Sequence, residues 1–134
     1  MRIMLDTNVL LSAILFPGER MDRMMRYIFE SHRLVLSSFV IDELIYVTAR
    51  KFPAKAKAVD LFLAGMSYEL VYTPREMESG LFEIRDEKDY PVLYTAIVED
   101  VDILITGDKD FSEIEMERPE ILTPSEFIRR FVCP

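Results

Sequence analysis

Several carboxylates in this chain stand where a fold could gather them. Asp6 follows an apolar run at residues 2–5, and Asp108 follows another at residues 103–105. Asp89 precedes Pro91 and a helical apolar pattern, and Glu43 sits beside Leu44 and Ile45. One acid at a strand end is as often a helix cap as a ligand. Several acids drawn together are different, because they repel and hold protons unless a cation joins them. Oxygen-only ligands suit hard ions, so Mg2+ or Mn2+ fits such a group. Zinc does not fit: the one histidine, His32, reads as a surface residue near a helix end, and Cys133 stands alone. Asp42 and Asp86 read as solvated or capping, and Glu113, Glu115 and Glu117 as a solvated charge run.

The elements that must position these acids follow from periodicity. Residues 2–5, 34–36, 70–72, 103–105 and 121–122 are short apolar runs with the character of buried strands. Between them lie helical patterns. One starts at Thr7-Asn8, carries Val9, Leu10, Ala13 and Ile14, and stops at Pro17-Gly18. A second, over 19–31, sets Met21, Met24, Met25, Ile28 and Phe29 against Arg20, Arg23 and Arg26. A third starts at Ser37 or Ser38 and reaches about Arg50 before the break at Pro53. Further helices are expected over 54–66, over 75–84, from Pro91 through Ile97, and from Pro124 through Phe131. Residues 86–89 read as a charged loop.

Strands alternating with helices predict an α/β fold of three layers (α/β/α), with a central parallel sheet of about four to five strands. Residues 1–134 read as a single domain, without repeat or linker. Ligands of such sheets bind outside the carboxyl ends of the strands, so Asp6 and Asp108 can face one crevice.

Composition bounds the function. Half of the 134 residues are hydrophobic, enough for a core without disulfides. Asp6 interrupts the apolar start, and Pro17-Gly18-Glu19 does not resemble a signal-peptide cleavage site. No apolar run reaches the roughly 18 residues of a membrane span, so a cytoplasmic protein is expected. The net charge of −8 has the wrong sign for a backbone-binding protein. The acids of the site contribute to it, and bound cations would offset part of it. Arg50, Lys51, Lys55 and Lys57 cluster in sequence and could steer phosphate, and Lys109 stands next to Asp108. A phosphate-binding loop is excluded, since no Gly-Lys-Ser/Thr loop exists. An aspartate-nucleophile phosphatase is disfavoured by Asn8, where a second Asp would be needed.

Four segments together resemble the PIN domain family. Residues 3–10, Ile-Met-Leu-Asp-Thr-Asn-Val-Leu, are similar to its opening motif. Residues 38–44, with Ser38 and the Glu43-Leu44 pair, resemble the second motif. Residues 86–93 with Ala96 resemble the third, and residues 102–111, containing Thr106-Gly107-Asp108-Lys109-Asp110, the fourth. The small prokaryotic VapC-like members, regarded as toxins of toxin–antitoxin pairs, are the most similar group.

The resemblance implies an RNA-hydrolysing enzyme. Asp6, Glu43, Asp89 and Asp108 match its catalytic, metal-binding quartet, with Asp110 as a further metal ligand. Asp86 competes with Asp89 for the third place. Thr7, Asn8 and Thr106 match supporting polar positions, while Arg50, Lys51 and Lys109 are substrate-binding candidates. It also implies Mg2+ or Mn2+, products ending in 5′-phosphate and 3′-hydroxyl, a homodimer, and an antitoxin partner. The alternative is a PIN-fold module that binds protein or RNA without catalysis.

Overall fold

The structure, a computed structural model, describes residues 1–111 and 113–133. Its centre is a five-stranded sheet, β1 (Arg2–Leu5), β2 (Arg33–Ser37), β3 (Glu69–Val71), β4 (Ile103–Ile105) and β5 (Glu120–Leu122), in the order β3-β2-β1-β4-β5. Every pairing is parallel. Parallel strands covered on both faces need apolar side chains on both. Ile3, Met4 and Leu5 accordingly expose nothing, nor do Val35, Leu36, Leu104 and Ile105.

Helices flank the sheet: α1 (Thr7–Leu15), α2 (Glu19–Ser31), α3 (Ser38–Lys51), α4 (Ala56–Gly65), α5 (Tyr90–Val98) and the short α6 (Pro124–Phe127). Their starts are written locally. Asp6 caps α1 by accepting from Val9 N–H at 2.9 Å, and Ser37 caps α3 by accepting from Val40 N–H at 3.2 Å. Thr123 and Glu126 form a reciprocal capping box ahead of Phe127. Met24, Ile28, Val40, Leu44, Leu93, Ala96 and Phe127 bring the helices into one core cluster with the strands. The methionine stripe of α2 belongs to this core, with Met24 and Met25 buried and Met21 packed against it.

Three expectations need correction. No helix forms over 75–84; the segment runs as bends and turns. Gly80 takes φ +84° there, and tertiary bonds hold the backbone: Glu78 N–H donates to Tyr94 Oη at 3.1 Å, while Tyr90 Oη donates to the Glu78 carbonyl. This strap is fixed by two tyrosines of α5, which local periodicity cannot register. The helix expected over 54–66 begins instead as a single 3-10 turn at Pro53–Lys55 before α4. After α6 the chain winds more widely through Ile128–Val132, as a π-type turn. No helix among the described residues is long and apolar enough to cross a membrane.

Candidate active site

The sheet order reverses at β1. The chain moves outward through β2 and β3, then returns to the other side of β1 as β4 and β5. A crevice opens at the carboxyl ends of strands whose connections part in this way. Leu5 pairs with Ile105, and Asp6 N–H extends the ladder to the Ile105 carbonyl at 3.2 Å. The residues just beyond these strands, Asp6 and Thr106, are thereby juxtaposed.

The Asp6 carboxylate is buried and held on both oxygens. Oδ1 accepts from Val9 N–H, and Oδ2 accepts from the Thr106 hydroxyl. That hydroxyl in turn accepts from Asp108 N–H at 3.1 Å, and Asp108 Oδ1 accepts from Asp110 N–H at 2.9 Å. From the other direction Thr7 Oγ1 donates to Glu43, tying the start of α1 to α3. Thr7 and Thr106, expected as supporting groups, therefore each orient one acid. Asn8, expected beside them, is exposed on α1 and bonds to none of the acids.

The remaining acids come from the turn before α5. Asp86, Asp89 and Asp110 place one carboxylate oxygen each within 4.8 Å of one another. Asp89 Oδ2 is buried and meets no hydrogen-bond donor among the described residues. Asp86, read as solvated or capping, does cap the 3-10 turn Glu87–Asp89 through Lys88 N–H at 3.0 Å. It also joins the acid group, so Asp86 and Asp89 are neighbours in the site rather than exclusive alternatives.

Charge repulsion leaves its mark. Burial pushes the Asp6 carboxyl up to about 6; the bonds from Thr106 and Val9 act against this, and the charges of Asp108 and Glu43 add to it. Burial likewise pushes Asp89 up to about 7, with Asp108, Asp86 and Asp110 adding repulsion. The acids thus form an electrostatic chain from Glu43 through Asp6 and Asp108 to Asp89, Asp86 and Asp110. A buried Asp6 and half-buried Asp89, Asp108 and Asp110 in mutual repulsion, with one Asp89 oxygen that finds no donor among the described residues, are chemically suited to a hard divalent cation.

Arg85 was not singled out from the sequence. Its guanidinium lies 3.7 Å from Asp110 and 3.6 Å from Glu113, so Glu113 is paired as well as exposed. Adjacency to Asp86 was the available signal. Of the basic candidates, Arg50 and Lys51 occupy the last turn of α3, where Arg50 donates to Tyr46 Oη at 2.8 Å. Among the described residues no bond ties either to the acids. Lys109 is exposed between Asp108 and Asp110. His32 lies at the opposite, amino ends of the strands, between the N-terminal amine and Tyr27 Oη.

The sequence matches the PIN domain family over residues 2–110. The chain belongs to that family. Its fold is shared with solved structures of low sequence identity. A chain of the VapBC2 complex from Rickettsia felis, solved with a DNA fragment of its promoter, superposes with a TM-score of 0.69. The identity is 23%, over 91% of this chain and 97% of that one. Mycobacterium tuberculosis VapC20, a toxin that cleaves the sarcin–ricin loop, gives a TM-score of 0.61 at 14% identity, over 87% of this chain and 99% of that one. No curated protein matches the sequence. All four segments read as PIN motifs lie wholly or almost wholly inside the matched residues; of their acids, Asp86, Asp89 and Asp110 lie within 4.8 Å of one another, while Asp108, Asp6 and Glu43 are joined to them by charge.

Proposed function

We propose that this PIN domain is a Mg2+- or Mn2+-dependent endoribonuclease of the VapC kind, a toxin that hydrolyses RNA phosphodiesters. The observation that carries the reading is the unpartnered, buried Asp89 Oδ2 within the Asp86–Asp89–Asp110 group, continuous in charge with Asp108 and Asp6. A resident divalent ion would supply an activated water and neutralise charge on the phosphate. Asp6 and Asp108 would hold it, with Glu43, Asp89 and Asp110 as further ligands or as groups that position the attacking water. Thr106 holds Asp6 in one orientation and Thr7 does the same for Glu43, which limits reorganisation when the ion binds. Asp86 would assist Asp89, and Lys109 and Arg85 would contact the phosphate. Arg50 and Lys51 act, on this reading, as steering charges for the approaching backbone.

The same reading takes residues 1–134 as one domain working in the cytoplasm as a homodimer. An antitoxin would lie in the groove between α1, α2 and α4, which Ala13, Ile14, Met25, Phe29 and Leu61 line on its apolar side. Leu61 is 64% exposed there.

The test is cleavage of a mixed RNA pool by pure protein with Mg2+, Mn2+ or EDTA, with Asp6→Asn and Asp108→Asn alongside. Metal-dependent cleavage lost in both variants is expected. Absence of cleavage while metal demonstrably binds would replace the enzyme by a PIN-fold binding module.

A further inference from the structure

A cavity of about 670 Å³ lies between the strap of residues 77–87 and the first turn of α5. Its size is in the range of sites that hold small ligands, about 300–1,000 Å³. Met77, Phe82, Ile84, Tyr90 and Pro91 line it with apolar and aromatic surface, and Glu83 and Glu87 add two carboxylates. Phe82 and Tyr90 are stacked at 4.4 Å between ring centroids with 17° between planes, and Tyr94 continues the stack at 5.8 Å. Tyr90 is the middle ring of this stack, so a planar partner would meet the outer face of Phe82, and the strap that carries Phe82 is anchored through Glu78 to the hydroxyls of Tyr90 and Tyr94.

The occupant can be narrowed by its chemistry. Two carboxylates repel a phosphate, so the cavity is not an extension of a phosphate track. An aromatic wall favours a planar partner, and carboxylates require donors on its edge. Neither Glu83 nor Glu87 is drawn into an ion pair or hydrogen bond among the described residues, so both remain available as acceptors. Glu87 lies between Asp86 and Asp89 in the chain, which puts the cavity against the acid group. A planar, donor-edged group held beside a phosphodiester site is a nucleobase. Single-stranded RNA is read in this manner, by bases splayed onto aromatic side chains and bonded along their Watson–Crick edges.

We propose that this cavity takes one base of the RNA next to the cleaved bond, and that the base is guanine. Guanine alone presents two parallel donors, N1–H and N2–H, to a single carboxylate. Uracil offers one donor, while adenine and cytosine offer an amine without an adjacent ring N–H. The proposal deepens the nuclease reading and rests on it for the word "substrate", but the cavity can be tested without catalysis.

The first arm is titration of the protein in EDTA with GMP, AMP, CMP or UMP, observed by NMR at the backbone amides of Gly80, Phe82 and Glu83. GMP is expected to move them at the lowest concentration. Glu83→Gln with Glu87→Gln should weaken GMP by about tenfold, the usual worth of one good bidentate contact, and leave the other nucleotides close to unchanged. The second arm is sequencing of cleavage sites in a randomised RNA pool with Mn2+ present. A guanosine preference at one position beside the cut, reduced about tenfold in the double variant, is expected. Amides unmoved by any nucleotide, or GMP binding equal in the double variant, overturns the base site whatever the cleavage result. GMP binding without cleavage sinks the nuclease reading and leaves the site standing. Cleavage without base preference or GMP binding does the reverse.

Discussion

At the scale of the residue, the site is governed by what surrounds each carboxylate. Asp6 is the best defined: one oxygen caps α1, the other takes the Thr106 hydroxyl, and burial holds its pKa near 6. Replacing Thr106 by Val should remove that restraint and lower metal affinity and cleavage by about 10–100-fold, the effect of losing a partner of a metal ligand. Isothermal titration with Mn2+ and a cleavage rate would check it, and wild-type values in both would remove Thr106 from the design. The raised pKa values also have a sign that can be tested. An acid whose folded pKa lies above its unfolded value binds more protons in the folded state, so ionisation opposes folding. The contribution of Asp6 and Asp89 to the stability of the metal-free protein should therefore be full below about pH 4, be lost as pH rises from there through their folded values of about 6 and 7, and level off above. Glu69, held below the usual carboxylate range by Arg2, acts in the opposite sense but only at lower pH. Asp6→Asn should flatten the decline and stabilise the metal-free protein near pH 8 by about 3 kcal/mol. Thermal unfolding in EDTA at several pH values measures this, and a profile that rises toward pH 8 would contradict it. The sequence showed Asp6, Glu43, Asp89 and Asp108 because each occupies a recognisable place in a strand–turn–helix pattern. It did not show Arg85, whose pairing with Asp110 and Glu113 is a tertiary contact.

The element scale shows where local reading succeeds and where it fails. Strand β4 and residues Ile3, Met4 and Leu5 of β1 are uniformly apolar because both faces are covered, and the helix starts carry Asp6, Ser37, Pro91 and Thr123 as caps or first-turn residues. Such signals act within four residues, so the chain displays them directly. The strap over 75–84 is the opposite case. Its acidic and apolar residues allow a helical period, yet its Glu78 and Leu81 N–H groups donate to the hydroxyls of Tyr94 and Tyr90, and Tyr90 Oη donates to the Glu78 carbonyl, which holds it in turns. Tyr94→Phe should release Glu78 N–H and cost about 1 kcal/mol of stability, with hydrogen exchange faster at Glu78. Protection at Glu78 unchanged in that variant would mean that the strap is held by something else. Thr123→Ala should cost a similar amount, about 1 kcal/mol, through loss of the capping box, as read from a denaturant midpoint.

On the scale of the whole molecule, an acidic chain is made to hold still more negative charge at one sheet edge. A divalent ion that binds only the folded state should then stabilise it, by about 2.7 kcal/mol at one hundred times its dissociation constant. The gain should grow with pH across the window in which Asp6 and Asp89 ionise. A melting temperature indifferent to Mg2+ and Mn2+ at pH 8 would argue against the metal site as a whole. Fold class, strand positions and the roles of Asp6 and Asp108 as strand-end acids were determined by the sequence alone, because periodicity, caps and apolar runs express local geometry. Only the tertiary structure decided that β1 lies between β2 and β4, that Asp86 joins Asp89 and Asp110, that two tyrosines pin the strap, and that a cavity opens beside the acids. Each of these depends on contacts between residues far apart in the chain, whose free energy is settled by packing and not by any short stretch of sequence.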